Sequence, residues 1–402
     1  MTDAAFFADG YANILANIGT ARDKAASGGY VLTLPDPAQI EAAYRTSPIA
    51  RKVVDLPAED ALREWREWQT EAEQITAIEA EERRLGLAAT MIRALKTARL
   101  RGGAAVYIGA DNADPSMPLN PRAVRKGGLA YLTVLSRDDL SEAEPQRDPR
   151  LPGFGLPAYY TRSAGDAASV RIHPSRLVIL RGEEVPRGLA ARSDGWGDPA
   201  IWCAFEAVRN LDSTAANVVS LVFEAKIDVI QIAGLMDNLR ARGAAYEAEL
   251  IRRFGLAAAA KGINGTLILG EGEEYSTKSA SFSGLPDLLD RFMQLVSAAA
   301  SIPMTLLFGR SPAGLNATGE ADIRGYYDRI RVMQSLDIGP AMALLDECLI
   351  RSALGVRPPE LHYTWRPLWQ PSAKERAEVA KMQADTLAVL RGMGVVSDEA
   401  LG

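Results

Sequence analysis

Between Ser47 and Gln69 the chain alternates buried-type and charged residues at helical spacing. Ile49, Val53 and Leu56 fall on one face, followed by Leu62, Trp65 and Gln69, with Arg and Glu in the gaps. This spacing predicts an amphipathic helix through the whole stretch, with Trp65 and Trp68 as packing anchors rather than a ligand cage. A further helix, "MIRALKTARLRGG", stops at Gly102 and Gly103 with two basic residues in its last turn, as helix ends prefer. "AAVYIGA" and "GLAYLTVLSRDDL" read as strands separated by the turn-rich "DNADPSMPLNP", and "YYTR" and "RIHPSRLVILRG" supply more. Up to about residue 195 the pattern is α+β with long loops.

The second half is more helical. A helix is predicted from near Pro199 through "DSTAANVVSLVFE", and its unbroken apolar content suggests burial on more than one side. A strand–helix–strand–strand insert follows: "KIDVIQI", then one helix carrying Leu239, Tyr246, Leu250 and Phe254 near one face, then "GTLILG" and "EYSTKSASF" joined by the acidic turn "EGEE". The next helix starts after Gly284, with Pro286 in its first turn, and places Leu288, Leu289, Phe292, Leu295, Val296 and Ala299 at three-and-four spacing. Ala298, Ala299 and Ala300 would let another backbone approach closely. The insert is therefore carried on a two-helix stalk. Pro303 disrupts the second stalk helix, and Gly309 stands at the edge of a loop.

Beyond the loop, Ile323, Tyr326, Tyr327, Ile330, Met333 and Leu336, then Leu344, Leu345, Cys348 and Leu349, mark a third long helix, on the order of 50 Å at 1.5 Å per residue. Gly339-Pro340 should kink it, because proline lacks the amide and crowds the preceding turn. "PPELHYTWRPLWQP" is an extended aromatic stretch, and a last helix runs from about Ser372 to Arg391.

Composition narrows the function classes. Apolar residues are 48% and charged residues 24% of the 402, ordinary for a globular protein. A net charge of -6 and a pI of about 5.3 argue against tight wrapping of duplex DNA, though not against a protein that lets DNA pass. Cys203 and Cys348 each sit alone in apolar helical context and are expected to be buried and inert, which fits a reducing compartment. His173 and His362 are the only histidines, too few for a histidine metal site. The N-terminus lacks the basic start and apolar core of a signal peptide. The uncharged run Phe292–Gly309 is 18 residues long, but Gln294, Ser297, Ser301, Pro303 and Thr305 interrupt it, which favours a helix buried between protein surfaces over a membrane pore.

No constellation supports enzyme activity. "GRSPAG" begins like a nucleophile elbow, but Pro312 follows Ser311 and removes the amide that an oxyanion hole needs, which weakens a serine hydrolase using Ser311. "GEGEE" lacks the Lys-Ser/Thr of a phosphate loop. Glu183-Glu184 and Asp138-Asp139 read as solvated loops. No cofactor is implied.

"SIPMTLLFGRSPAGLNATGEADIRGYYDRIR", Ser301 to Arg331, resembles the signature of the portal proteins of tailed bacteriophages, and "SPIARKVVDLPAEDALREWREW" resembles an early segment of that family. The resemblance covers roughly residues 30 to 355. It implies a portal fold: an N-terminal arm (1–28), an α+β wing (29–198), a stem helix (199–225), a small α/β clip (226–285), a second stem helix (286–309), a tunnel loop (310–318), a long kinked wing helix (319–354) and a C-terminal or crown region (355–402). It further implies a ring, usually a dodecamer, at one capsid vertex. Genomic DNA is packaged and later ejected through that ring. The implied partners are terminase, head–tail adaptor and connector proteins, and the major capsid and scaffolding proteins, with no membrane. Assembly in the host cytoplasm and residence in the virion follow. The tunnel-loop residues Arg310, Ser311, Pro312, Asn316 and Thr318 are then expected to face passing double-stranded DNA. Arg310 either makes a transient phosphate contact or pairs with Glu320 or Asp322.

Overall fold

Two polar caps and two prolines set the first pair of helices. Asp36 accepts from the Ala38 amide at the start of α1 (Pro37–Thr46), and Ser47 accepts from the Ala50 amide at the start of α2 (Pro48–Arg63). In this computed structural model the described residues are 36–110, 114–142, 145–150, 153–164, 167–186, 195–223, 226–260, 274–279, 282–310, 319–369 and 373–392. The expected arm at 1–28, the "GTLILG" strand, the turn at 271–273 and residues 311–318 lie outside them.

Pro57 lies inside α2 and cannot donate to the Val53 carbonyl one turn earlier. Arg99 takes over that role. Its guanidinium donates to the carbonyls of Val53 and Val54 at 3.1 Å each, and Glu183 stands 3.5 Å away as its counter-charge. Glu183 is exposed, as expected of a solvated loop residue, and it also stands near a buried arginine whose pKa burial pushes down.

The helix expected to reach Gln69 ends at Arg63. Residues Arg66–Gln69 form β1 instead, which pairs antiparallel with β10 (His362–Trp365) from the far end of the chain. Burial alternates along β1, with Arg66 and Trp68 facing inward, so a period of two replaced the helical period once a partner strand was available. The Arg66 side chain is wholly buried. It donates to Glu82 Oε1 at 3.0 and 2.9 Å and to Asp346 Oδ1 at 2.5 Å, and it lies over the rings of Trp68 and Tyr363 at 4.6 and 4.7 Å. Trp65 and Trp68 are indeed anchors: both indoles donate to Glu82, and each ring packs edge-on against Trp365 or Tyr363.

Helices α3 (Ala72–Leu85) and α4 (Leu87–Arg101) follow, then β2 (Gly103–Ala110), β3 (Leu129–Ser136), β4 (Leu140–Glu142), β5 (Tyr160–Ala164), β6 (Ala167–Ile172) and β7 (Leu177–Arg181). They build two antiparallel sheets, ordered β3-β2-β7 and β4-β5-β6. Helix α4 lies against β2 and β3, on the main core. A second small core, including Tyr160, Ile172 and Trp196, is shared by the two sheets.

The helix expected from Pro199 begins later, as α5 (Phe205–Phe223), after a short 3-10 turn at Trp202–Ala204. That turn buries Ile201 and Ala204 and leaves Cys203 exposed, contrary to expectation; Cys348 is buried, and burial pushes its thiol up to about 12. The insert holds β8 (Lys226–Gln231), α6 (Leu235–Arg242), α7 (Ala244–Ala260) and β9 (Glu274–Ser279), with β8 and β9 antiparallel. Its single expected helix is broken at Gly243, whose φ of 54° and ψ of -137° only glycine adopts readily. Helix α8 (Leu285–Ala300) returns along α5. Then come α9 (Met304–Phe308), α10 (Glu320–Val332), a π-helical turn (Met333–Ile338), α11 (Gly339–Leu354), β10 and α12 (Ala373–Gly392). The kink expected at Gly339-Pro340 takes the form of this widened turn: the Gly339 amide bonds the Gln334 carbonyl five residues back, which makes room ahead of Pro340. The Gln334 side chain locks the turn to the core by donating to the Ala61 carbonyl at 2.7 Å.

Removing one member of the buried ion cluster leaves the others uncompensated, so Arg66→Ala should lose about 3–5 kcal/mol in urea denaturation. A second expectation concerns acid. Arg84, followed by Ser352, holds the Glu81 carboxyl below its ordinary value. A lowered folded pKa contributes stability above the ordinary carboxylate range and loses it as pH falls through the folded value. The deficit of Glu81→Gln against wild type should therefore be full at neutral pH and shrink once the pH drops below about 4.5. A deficit that stays constant through acid would contradict this.

Candidate functional site at the base of the 310–318 loop

The stem helix expected over 286–309 ends at Ala300, and the cause is a specific cap. The Ile302 amide bonds the Ser297 carbonyl and the Ser301 amide bonds the Ala298 carbonyl, each at 3.2 Å. Those are the two reversed bonds of a Schellman motif, and the flanking apolar residues Val296 and Ile302 are both buried, as that motif favours. The left-handed position, usually glycine, is Ser301 at φ 55°, the one non-glycine with positive φ among the described residues. Ser297 Oγ donates to the Ile302 carbonyl at 2.6 Å and tightens the turn. Pro303 follows two residues later, where it cannot extend the helix.

From there the chain is tied to the core at each step. Leu307 is buried, and its carbonyl accepts from Lys52 Nζ of α2 at 2.8 Å. Arg329 of α10 donates to the Ser301 carbonyl at 3.3 Å. Tyr326 Oη donates to Asp60 Oδ2 at 2.9 Å, and burial pushes both groups up from their ordinary values. Gly309 and Gly319, both left-handed at φ 69°, bracket the loop. Glu320 and Asp322 then occupy the first turn of α10, where the helix dipole favours acidic groups.

Arg310 pairs with Asp290 of α8, a partner the sequence reading did not name. Both side chains are partly exposed, so this pair contributes at most ~1 kcal/mol. Ser311, Pro312, Asn316 and Thr318 lie outside the described residues, and no placement is assigned to them. Beside the loop base is an open pocket of about 640 Å³, lined by Asp290, Ser297, Thr305, Arg310, Asp322 and Arg329. Two cations face two carboxylates there, so the base of the loop is close to neutral. Its chemistry is that of an anchorage. The two histidines are engaged locally, His173 Nδ1 with Ser175 Oγ at 2.8 Å and His362 Nδ1 with the Glu360 carbonyl at 2.9 Å.

Sequence reading pointed to a loop at 310–318, of which 311–318 lie outside the described residues, and missed the supports at its base. Lys52 lies within the 47–69 stretch without any local sign that it reaches Leu307, and nothing in the residues around Asp290 and Arg329 singles them out. Only the run Ala-Ser-Ile-Pro, in which an apolar residue and a proline follow a serine, hinted at the cap.

The stalk helices differ from expectation within one chain. Val219, Leu221 and Val222 of α5 and Leu288 and Leu295 of α8 are exposed, up to 58% at Leu295. Among described residues no helix is long and apolar enough to cross a membrane. Of the three alanines, Ala299 and Ala300 pack on the core and Ala298 is exposed.

The family model described as phage portal protein matches residues 38–389. The anti-CBASS protein Acb1 of Caulobacter sp. (strain RHG1) is 39% identical over 396 residues, covering 96% of this chain and 63% of its own. This chain thus spans less than two thirds of that relative. An uncharacterized protein of Haemophilus influenzae (strain ATCC 51907 / DSM 11121 / KW20 / Rd) is 31% identical over 395 residues, covering 97% of this chain and 88% of its own. Among solved structures, a chain from the neck of an empty gene transfer agent (GTA) particle, computed with C6 symmetry, shares the fold with TM-score 0.54 at 18% identity, covering 96% of each chain.

The cap at Ser301 can be tested directly. A β-branched residue fits the left-handed region poorly, so Ser301→Val should destabilise by about 1–2 kcal/mol, whereas Ser301→Gly should keep wild-type stability. Equal losses in thermal unfolding of both variants would show that φ at this position does not matter.

Proposed function

Because the chain belongs to the phage portal protein family, we propose that its copies close into a ring, with twelve as the expected number, at one vertex of a capsid and form the channel for viral DNA. The observation that carries this reading is the stalk. Two long helices, α5 and α8, pack along each other yet leave Val219, Leu221, Val222, Leu288 and Leu295 exposed. A chain that stayed single would pay for that surface, and a ring covers it with the next copy. The fold shared with a chain from a particle neck supports the same reading.

In this proposal α5 and α8 are the stem, the β8-to-β9 insert is the clip, and the loop bracketed by Gly309 and Gly319 lines the channel. Its near-neutral base and the acidic chain suit passage of DNA, since phosphate-neutralising contacts would act as brakes. The Arg310–Asp290 pair keeps the nearest cation engaged within the protein. The clip offers the docking surface for terminase during packaging and for head–tail adaptor proteins afterwards. Capsid and scaffolding proteins surround the wing, assembly takes place in the host cytoplasm, and the role is structural rather than enzymatic. The anti-CBASS name stays with the longer relatives and is not carried to this chain.

Electron microscopy of the purified protein, alone and with scaffolding and capsid proteins, should show end-on rings with a hole wide enough for duplex DNA. Val219→Asp combined with Leu295→Asp should abolish the rings while changing the unfolding free energy of the single chain by no more than about 0.5 kcal/mol, because both sites are exposed there. Rings that survive the double substitution would remove the stalk from the interface. Persistent single chains under every assembly condition would overturn the ring itself.

A further inference from the structure

The helix after the loop has two unlike flanks. Tyr326 and Ile330 of α10 face the core. On one side of them, Tyr327 joins Leu368, Trp369, Val379 and Met382 in an open groove of about 530 Å³ between α10 and α12. Its aromatic floor is held in place by cations: Arg63 lies over the Tyr327 ring at 4.9 Å and Arg324 over the Trp369 ring at 5.1 Å. The rim is of mixed charge, Arg324 and Arg331 with Asp328 and Glu378. One residue on from Arg331 the helix has turned by roughly 100°, to a neighbouring strip that starts one turn beyond Asp328 of the rim. There Val332 is 55% exposed, and Leu336, in the π-helical turn, is 70% exposed, more than any other large apolar side chain described. Asp337 stands beside it, with burial and then Glu183 pushing its carboxyl up.

We propose that the Val332–Leu336 ridge of one copy seats in the Tyr327–Trp369–Met382 groove of the next copy. This deepens the ring reading of the preceding section and rests on it. A ridge and a groove on neighbouring strips of one helix are two different surfaces, each of which every copy can use once. That is the head-to-tail arrangement from which rings close by rotation, and a two-fold pair would instead need a surface complementary to itself. The contact takes the most exposed large apolar side chain among the described residues into an aromatic-floored groove. It also brings Asp337 toward a mixed rim, where Arg331 can meet it while Asp328 and Glu378 stand nearby. The π turn thus has a role beyond accommodating Pro340: it carries the ridge.

Thiol cross-linking of mixed copies tests the register. In a Cys203→Ser background, copies carrying only Leu336→Cys are mixed with copies carrying only Met382→Cys, assembled, and treated with a short bis-maleimide. Covalent dimers are expected from the mixture and from neither variant alone. A chain carrying both substitutions is expected to give a ladder rising to the ring number. Rings visible by microscopy without these cross-links would overturn the ridge-in-groove contact and leave the ring standing. Leu336→Cys copies that link to one another would replace it with a two-fold contact. Absence of rings under all conditions would overturn both.

Discussion

A cation with no access to water has to be surrounded before the chain around it can fold, and Arg66 is that cation. Burying a guanidinium costs several kcal/mol unless charge and hydrogen bonds replace its hydration. Here the replacements come from three distant segments: Glu82 from α3, Asp346 from α11, and the ring of Tyr363 from β10. Satisfying one side chain therefore forces the end of the chain back onto its beginning. The same seam continues in Ser352, whose hydroxyl donates to Glu81 and accepts from the Leu129 amide, so that α3, α11 and β3 meet along a line of polar contacts inside an apolar core.

The loop base inherits its position from that seam. Once α11 is seated, the π turn and the Gln334–Ala61 hydrogen bond set the direction of α10. α10 then delivers Tyr326 to Asp60 and Arg329 to the Ser301 carbonyl. α2, held by the same core, delivers Lys52 to the Leu307 carbonyl. Both ends of the 310–318 loop are thus anchored to elements whose own placement depends on buried groups. The stalk is the opposite case. Its two helices are long and regular, and their outward side chains include apolar residues that one chain cannot cover. Anchored contacts inside and exposed apolar side chains outside are the combination that the proposed ring requires.

Much of this was legible in the residues themselves. The strands at 103–110, 129–136 and 177–181, the stalk helices, and β8 and β9 of the insert follow from spacing, caps and breakers that act over a few residues. The likeness of Ser301–Arg331 to a portal signature pointed to the family. What escaped were features decided elsewhere in the chain. Arg66 to Gln69 had helical spacing and became a strand because His362–Trp365 was there to pair with it. Cys203 had apolar neighbours and still faces outward, because a 3-10 turn changed the register before α5 began. Ser301 holds a left-handed cap that local preference would give to glycine, because buried Ile302 and Val296 and the Arg329 contact favour the turn from outside.

Local preference costs or gains a few tenths of a kcal/mol per residue, and sequence reading sees that scale. Burial of an ion or of an aromatic ring is worth several times more and depends on residues hundreds of positions away, as Arg66 and Asp346 are. By itself the sequence determined most of the elements, their order and the family resemblance. Only the tertiary structure decided where an element stops, which carboxylate each arginine meets, and which apolar faces stay exposed, because those outcomes turn on long-range pairing.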